Sequence, residues 1–197
     1  MFSLTVIFSL LISNPVNLFQ SPSRQGWSQL AEKSTSIILG LAESENLVIR
    51  RDKINLKPSS VSKDKKTVQL PNPSDYIIGR IVRIRVNNLV KNNDRLSANS
   101  IINIFIPASS PTEGMPVFEA KQRYLIFLSP FKGKENEYAT ATIFQPNVAP
   151  KDEKAFRPAD CFSVVDRSNG VERITPKNRD EINAVIKEIR ASTNKPR

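Results

Sequence analysis

Between Tyr76 and Val90 the chain alternates with period two: Val82, Ile84 and Val86 are separated by Arg83, Arg85 and Asn87. Successive side chains of an extended strand point to opposite faces, so this segment is a strand with one dry side and one wet side. A strand of that kind needs a sheet, and other segments supply it. Ile37–Glu43 followed by Leu47–Ile49 reads as one long strand or a hairpin. Ile101–Ile106 is a third strand, ended by Pro107. Tyr124–Leu128 is apolar on both faces and reads as a central strand, with the alternating Tyr138–Phe144 expected to pair with it. Asn169-Gly170, between Phe162–Val165 and Val171–Ile174, has the composition of a tight hairpin turn with φ > 0. Arg80 falls on the apolar face of the second strand, and Gly79 beside it marks a bulge that would re-aim it.

Helical spacing appears only at the two ends. Trp27, Leu30 and Ala31 lie at i, i+3 and i+4 within Gln25–Ser34, a short amphipathic helix. Ile182, Val185, Ile186 and Ile189 share one face of a helix expected over 178–191, with Asn178 and Glu181 as a capping box. The expected fold is mainly β: a small OB-like or Greek-key β-barrel of five to six strands with a short N-terminal helix and a C-terminal helix. It forms a single domain over 24–197.

Composition then narrows the chemistry. With no His, the Ser-His-Asp and Cys-His nucleophilic sites and the common zinc sets are excluded. One Cys excludes disulfide frameworks, zinc ribbons and iron–sulfur clusters. Six scattered Gly leave no phosphate-binding glycine loop. Cys161, at a strand start, reads as a buried small hydrophobe. The carboxylate pairs Glu43/Glu45, Glu135/Glu137, Asp152/Glu153 and Asp180/Glu181 would serve acid–base chemistry only if two converged in a cleft. Asp180 and Glu181 already have a helix-capping explanation. The matches Ser60-x-x-Lys63 and Ser62-x-x-Lys65 lie in a polar loop, without the strand–helix context of serine–lysine acylases. No cofactor, metal site or catalytic residue is expected.

The net charge is +10 with a pI near 9.9. The excess is spread over the 50–66 loop, one strand face and the tail, so it reads first as a solvated surface. Its functional reading is an electrostatic footprint for an anionic surface or nucleic acid, with Arg80, Arg83 and Arg85 as the candidate binding residues. The aromatic residues Tyr124, Phe127, Tyr138 and Phe144 have apolar neighbours and read as core rather than as base-stacking platforms.

The first 23 residues are expected to be a signal peptide or an N-terminal anchor. Leu4–Ile12 has the length of a signal-peptide apolar region and falls short of a membrane span. The positive n-region is missing, since the first basic residue is Arg24. A lipid-anchored processed Cys is excluded, because the only Cys is Cys161. A secreted or periplasmic chain with one Cys must take its stability from its core.

Three stretches in order, Ser36–Gly40, Tyr76–Lys91 and Gln122–Leu128, resemble a loose group of uncharacterised exported bacterial proteins. Those are similar to the OB-like barrel of tissue-inhibitor-of-metalloproteinase and netrin modules. The resemblance covers about residues 28–174 and implies a strand plan. This chain has Thr35-Ser36 for the usual Ser-Asp, Asn92 where Gly often follows the Lys, and Lys121 where Gly is common. It has no Cys near its mature start, so the zinc-chelating mechanism of the metalloproteinase inhibitors does not carry over, and no functional residue transfers.

The expectation is a monomeric exported binding domain without catalytic machinery, its partner an unidentified protein or anionic partner. It would touch a membrane only through an uncleaved N-terminus. The alternatives are a single-stranded nucleic-acid binder and a carboxylate/arginine hydrolase of OB-like fold.

Overall fold

Two long strands dominate the sheet. β1 (Ser36–Arg50) and β2 (Ile77–Asn92) pair antiparallel over almost their whole length. The computed structural model describes residues 24–54, 73–108, 118–166 and 168–193. The expected signal segment, the 55–66 part of the basic loop with its Ser-x-x-Lys matches, and the tail beyond 193 lie outside the described residues. The run from Ile37 to Ile49 is therefore one strand rather than a hairpin, and the helical turn α2 (Pro73–Tyr76) leads into β2.

Four register shifts interrupt the β1–β2 ladder, leaving Ile78, Asn87 and Val90 as extra residues on β2 and Glu43 on β1. Extra residues bend and twist a strand. β1 thereby serves two neighbours in succession on its other side: β4 (Arg123–Pro130) along 36–41 and the short β5 (Ala141–Ile143) along 48–50. β2 pairs with β3 (Ile101–Pro107), β3 runs parallel to β6 (Cys161–Val164), and β6 is antiparallel to β4. Because β4 also pairs with β1, the order β1-β2-β3-β6-β4 closes into a ring of five strands. Counted along the chain, the ring runs first, second, third, fifth, fourth, with its parallel contact between third and fifth. That connectivity agrees with the OB-like expectation.

Two local readings are corrected by long-range pairing. Tyr138–Phe144 does not pair with Tyr124–Leu128: Glu135–Tyr138 is a 3-10 turn, and only Ala141–Ile143 is extended, against β1. The segment 162–174 is not a hairpin. β6 pairs with 128–130 of β4 and β7 (Val171–Arg173) with 124–126, so the two run end to end along β4. The backbone bonds Val165 N to Phe127 O and Gly170 O from Phe127 N, 3.0 and 2.9 Å, bracket the excursion between them. Asp166 shapes that loop by accepting from Ser168 N and Asn169 N at 2.9 and 3.2 Å. Among described residues positive φ occurs at Arg95, Asn99 and Lys121, so the Asn169-Gly170 conformation expected for a hairpin is not used.

Three apolar clusters stabilise this arrangement. The ring interior holds Ile38, Ala42, Val82, Ile84, Val86, Ile104, Ile126 and Leu128, the even positions of β2 supplying one wall. Outside β1 and β4, Trp27 and Leu30 of helix α1 (Arg24–Lys33) pack with Ile182, Val185, Ile186 and Ile189 of helix α3 (Arg179–Thr193). Both helical faces are those the spacing predicts, and each such side chain contributes about 1.5–3 kcal/mol on burial. A third cluster covers the far outer end of β1–β2–β3, where Val48, Ile81 and Phe105 meet Phe156, Phe131 and Tyr138 from the β4–β6 connection. The expected capping box at α3 takes another form: Asn178 Oδ1 accepts from Thr175 N at 2.7 Å, and its Nδ2 donates to Glu172 at 2.9 Å.

Candidate functional site

Arg83 and Arg85 point outward, since they alternate with the ring-interior residues Val82, Ile84 and Val86. The register places Arg83 between Ser44 on β1 and Asn103 on β3. Arg85 lies between Leu41 and Ile101, and Leu41 in turn faces Arg123 of β4. A single row, Ile101–Arg85–Leu41–Arg123, thus crosses four adjacent strands. It lies between the helix-covered end and the aromatic-covered end of the outer surface.

Arg80 does not join that row. The extra residue at the expected bulge is Ile78, which leaves Arg80 in phase with Val82 and on the opposite face from Arg83 and Arg85. There it stands across from Leu47 and Ile106, and its Nη1 donates to Glu45 at 2.9 Å. Arg85 is also paired: the unpaired bulge residue Glu43 is aimed at it, and Nε donates to the carboxylate at 2.7 Å. Pairs this exposed contribute about 0.2–1 kcal/mol. Arg83 is exposed and has no ion-pair partner among the described residues. Carboxylates and guanidiniums therefore do meet here, as a carboxylate/arginine enzyme would require, but as separate pairs. Neither Glu43 nor Glu45 lines either groove described below.

A groove of about 320 Å³ adjoins the row where the start of α3 crosses β1 and β4. Leu39, Ile174 and Ile182 form its apolar part, Asn87 and Asn183 bring amides, and Arg123 and Arg179 bring two guanidiniums. No carboxylate lines it. Sequence reasoning missed Arg123 and Arg179. The signal available was an exposed Arg before a buried strand, and another at a helix start. A second groove of about 300 Å³ opens where β3 and β6 diverge, between Phe105, Pro107, Phe131 and Val164.

The other unusual groups have structural roles. The Glu153 side chain is fully enclosed, and hydrogen bonds from Arg51 hold its carboxyl below the usual carboxylate range, with Thr142 Oγ1 donating at 3.0 Å. Ser168 bonding does the same for Asp166 in the loop it shapes. Burial, with Glu181 nearby, raises Glu172. Cys161 is buried as expected, and burial pushes its thiol up to about 12. Tyr124 and Phe127 are core, as expected, while Phe144 lies under the Arg51 guanidinium at 5.8 Å. Among the described residues no group of three or more acidic, His or Cys side chains could hold a metal ion, and no helix is long and apolar enough to cross a membrane.

The stretches that carry the resemblance also do structural work. Lys91 Nζ donates to the Ala31 and Ser34 carbonyls at 2.8 and 2.6 Å, satisfying the end of α1. Thr35 and Ser36 hydroxyls donate to Asp94 at 2.5 and 2.6 Å, tying the β1 start to the β2–β3 turn. Lys121, just before β4, has φ 65°. No family model matches this chain, and neither a curated protein nor a solved structure matches it.

Proposed function

We propose that this chain is an exported, monomeric binding domain without reaction machinery, which meets an anionic partner with the outer side of β3, β2, β1 and β4. The observation that carries the reading is the row Ile101–Arg85–Leu41–Arg123, in which apolar and guanidinium side chains alternate across four strands. Arginine beside apolar surface is the combination that binding interfaces favour, and the +10 charge would steer an anionic partner toward it. The perturbed titratable groups support the same reading, since Glu153, Asp166, Glu172 and Cys161 are each accounted for by clamping, turn or core roles. Export rests on the apolar run Leu4–Ile12.

One observation favours a second reading. The OB-like ring order turns Arg83, Arg85 and Asn103 outward on its second and third strands, the face that OB-like domains offer to single-stranded nucleic acid. Against it, Phe105, Phe131, Tyr138 and Phe156 pack edge to face or tilted against one another, with ring centroids 4.6–6.5 Å apart, rather than facing outward for bases.

Fluorescence anisotropy with labelled heparin and with a labelled single-stranded oligonucleotide, across a salt series, tests both. Heparin should bind with a steep salt dependence, and replacing Arg83, Arg85 and Arg123 with Gln should weaken binding about tenfold or more and flatten the salt slope. Tighter binding of the oligonucleotide through the same arginines would favour the nucleic-acid reading. No binding by either probe, or an unchanged triple variant, would end the proposal. Sequencing the mature N-terminus of natively expressed protein tests export: a chain still beginning at Met1 in the cytosol contradicts it.

A further inference from the structure

We infer that the groove at the start of α3 is a docking site for an acidic segment of a partner protein, one in which carboxylate and apolar side chains alternate. This rests on the reading of the chain as a binding domain and specifies the partner.

Six arginines, Arg50, Arg51, Arg80, Arg85, Arg157 and Arg173, each have a carboxylate partner within the chain. Among the described residues Arg83, Arg95, Arg123, Arg179 and Arg190 have none, and two of these, Arg123 and Arg179, line one groove that contains no carboxylate. Two guanidiniums on one groove repel each other, and Arg179, as the first residue of α3, opposes the positive end of the helix. Asp180 and Glu181 share that first turn, but no ion pair among the described residues holds either arginine, and choices without a local partner concentrate at functional sites.

The remaining lining selects among anions. Leu39, Ile174, Pro176 and Ile182 give an apolar floor, where a purely charged polymer would gain little. No aromatic ring lines the groove, so a nucleobase would find nothing to stack on. A volume of about 320 Å³ is at the small end for a small-molecule pocket but suits a few side chains of a docked segment. Asn87 and Asn183 place amides where a peptide backbone could bond. Arg123 belongs both to the groove and to the outer row, so a segment seated in the groove continues onto Leu41 and Arg85.

The test is anisotropy with a labelled peptide of alternating Asp and Leu, beside its Asn-Leu counterpart, using the full chain. The acidic peptide should bind and the amide peptide should not. Arg179→Gln should weaken the acidic peptide about tenfold. Asn183→Trp, which fills the groove, should abolish peptide binding while heparin binding through Arg83 and Arg85 persists. Equal binding of both peptides, or affinities unmoved by both variants, would overturn the inference. If heparin binds and the acidic peptide does not, the docking inference falls alone; if neither binds, the broader reading falls with it.

Discussion

Replacing Gly79 with Ala tests how closely β2 and β3 approach at the ring end. A Cβ at this position would lie 2.5 Å from the Ile106 carbonyl oxygen, and 2.7 and 2.8 Å from two carbons of the Phe105 ring. Neither neighbour can retreat cheaply. Ile106 is held in the β2–β3 ladder opposite Arg80, and Phe105 is 1% exposed, its ring 4.6 Å from Phe156 and 5.0 Å from Phe131. Overpacking a tight core costs about 1–3 kcal/mol, and a clash against backbone and an enclosed ring belongs at the upper end, about 3 kcal/mol. For a domain of this size that lowers Tm by about 6–12 °C. The assay is urea denaturation followed by the fluorescence of Trp27, the sole Trp and 2% exposed. Phe105→Leu makes room for one of the two clashes, so the double variant should be less unstable than the sum of its parts. A Gly79→Ala protein within about 0.5 kcal/mol of the parent, or strictly additive effects, would refute the packing described for this end.

Three further outcomes are expected. Glu153→Gln should cost about 2 kcal/mol at neutral pH, because it removes the charge that Arg51 binds in an enclosed site while the part-exposed Arg51 regains water. The folded Glu153 titrates below its unfolded value, so its contribution is present above the unfolded value and fades as pH falls through the folded one; parent and variant should converge in acid, and an equal gap at both pH values in denaturant titrations would contradict this. Lys121→Gly should raise stability by up to about 1 kcal/mol in the same titrations, as relief of the left-handed backbone exceeds the entropy that Gly adds to the unfolded chain; a loss would be contrary. The Cys161 thiol, held near 12 by burial, should resist iodoacetamide at pH 8 until the chain is unfolded, as read by mass spectrometry; rapid native labelling would contradict its enclosure.

What could be read from the residues follows a physical divide. β2 and both long helices announce themselves because each buries one face through its own local period, as with Val82, Ile84 and Val86, or Ile182, Val185, Ile186 and Ile189, and β1, β3 and β4 through continuous apolar runs. The errors arose where pairing is decided from elsewhere in the chain. Asn169-Gly170 is a sound local hairpin signal, but β4 offers one free edge long enough for both flanking segments, so they lie end to end. Tyr138 left its alternating pattern because Phe105, Phe131 and Phe156 provide a better packed site for its ring. The candidate arginines divide in the same way. Alternation placed Arg83 and Arg85 on the outer side and Arg80 on the other. The meeting of Arg123 with Arg179 depends on where α3 crosses the sheet, which no local pattern encodes.

A titration of the full ¹⁵N-labelled chain with the Asp-Leu peptide, read residue by residue through backbone amide shifts, addresses the central claim most directly. Shifts are expected along 39–41, 85–88, 123 and 174–183, on the outer row and its adjoining groove. Shifts centred instead on Phe105, Phe131 and Gly133, at the opening between β3 and β6, would contradict it.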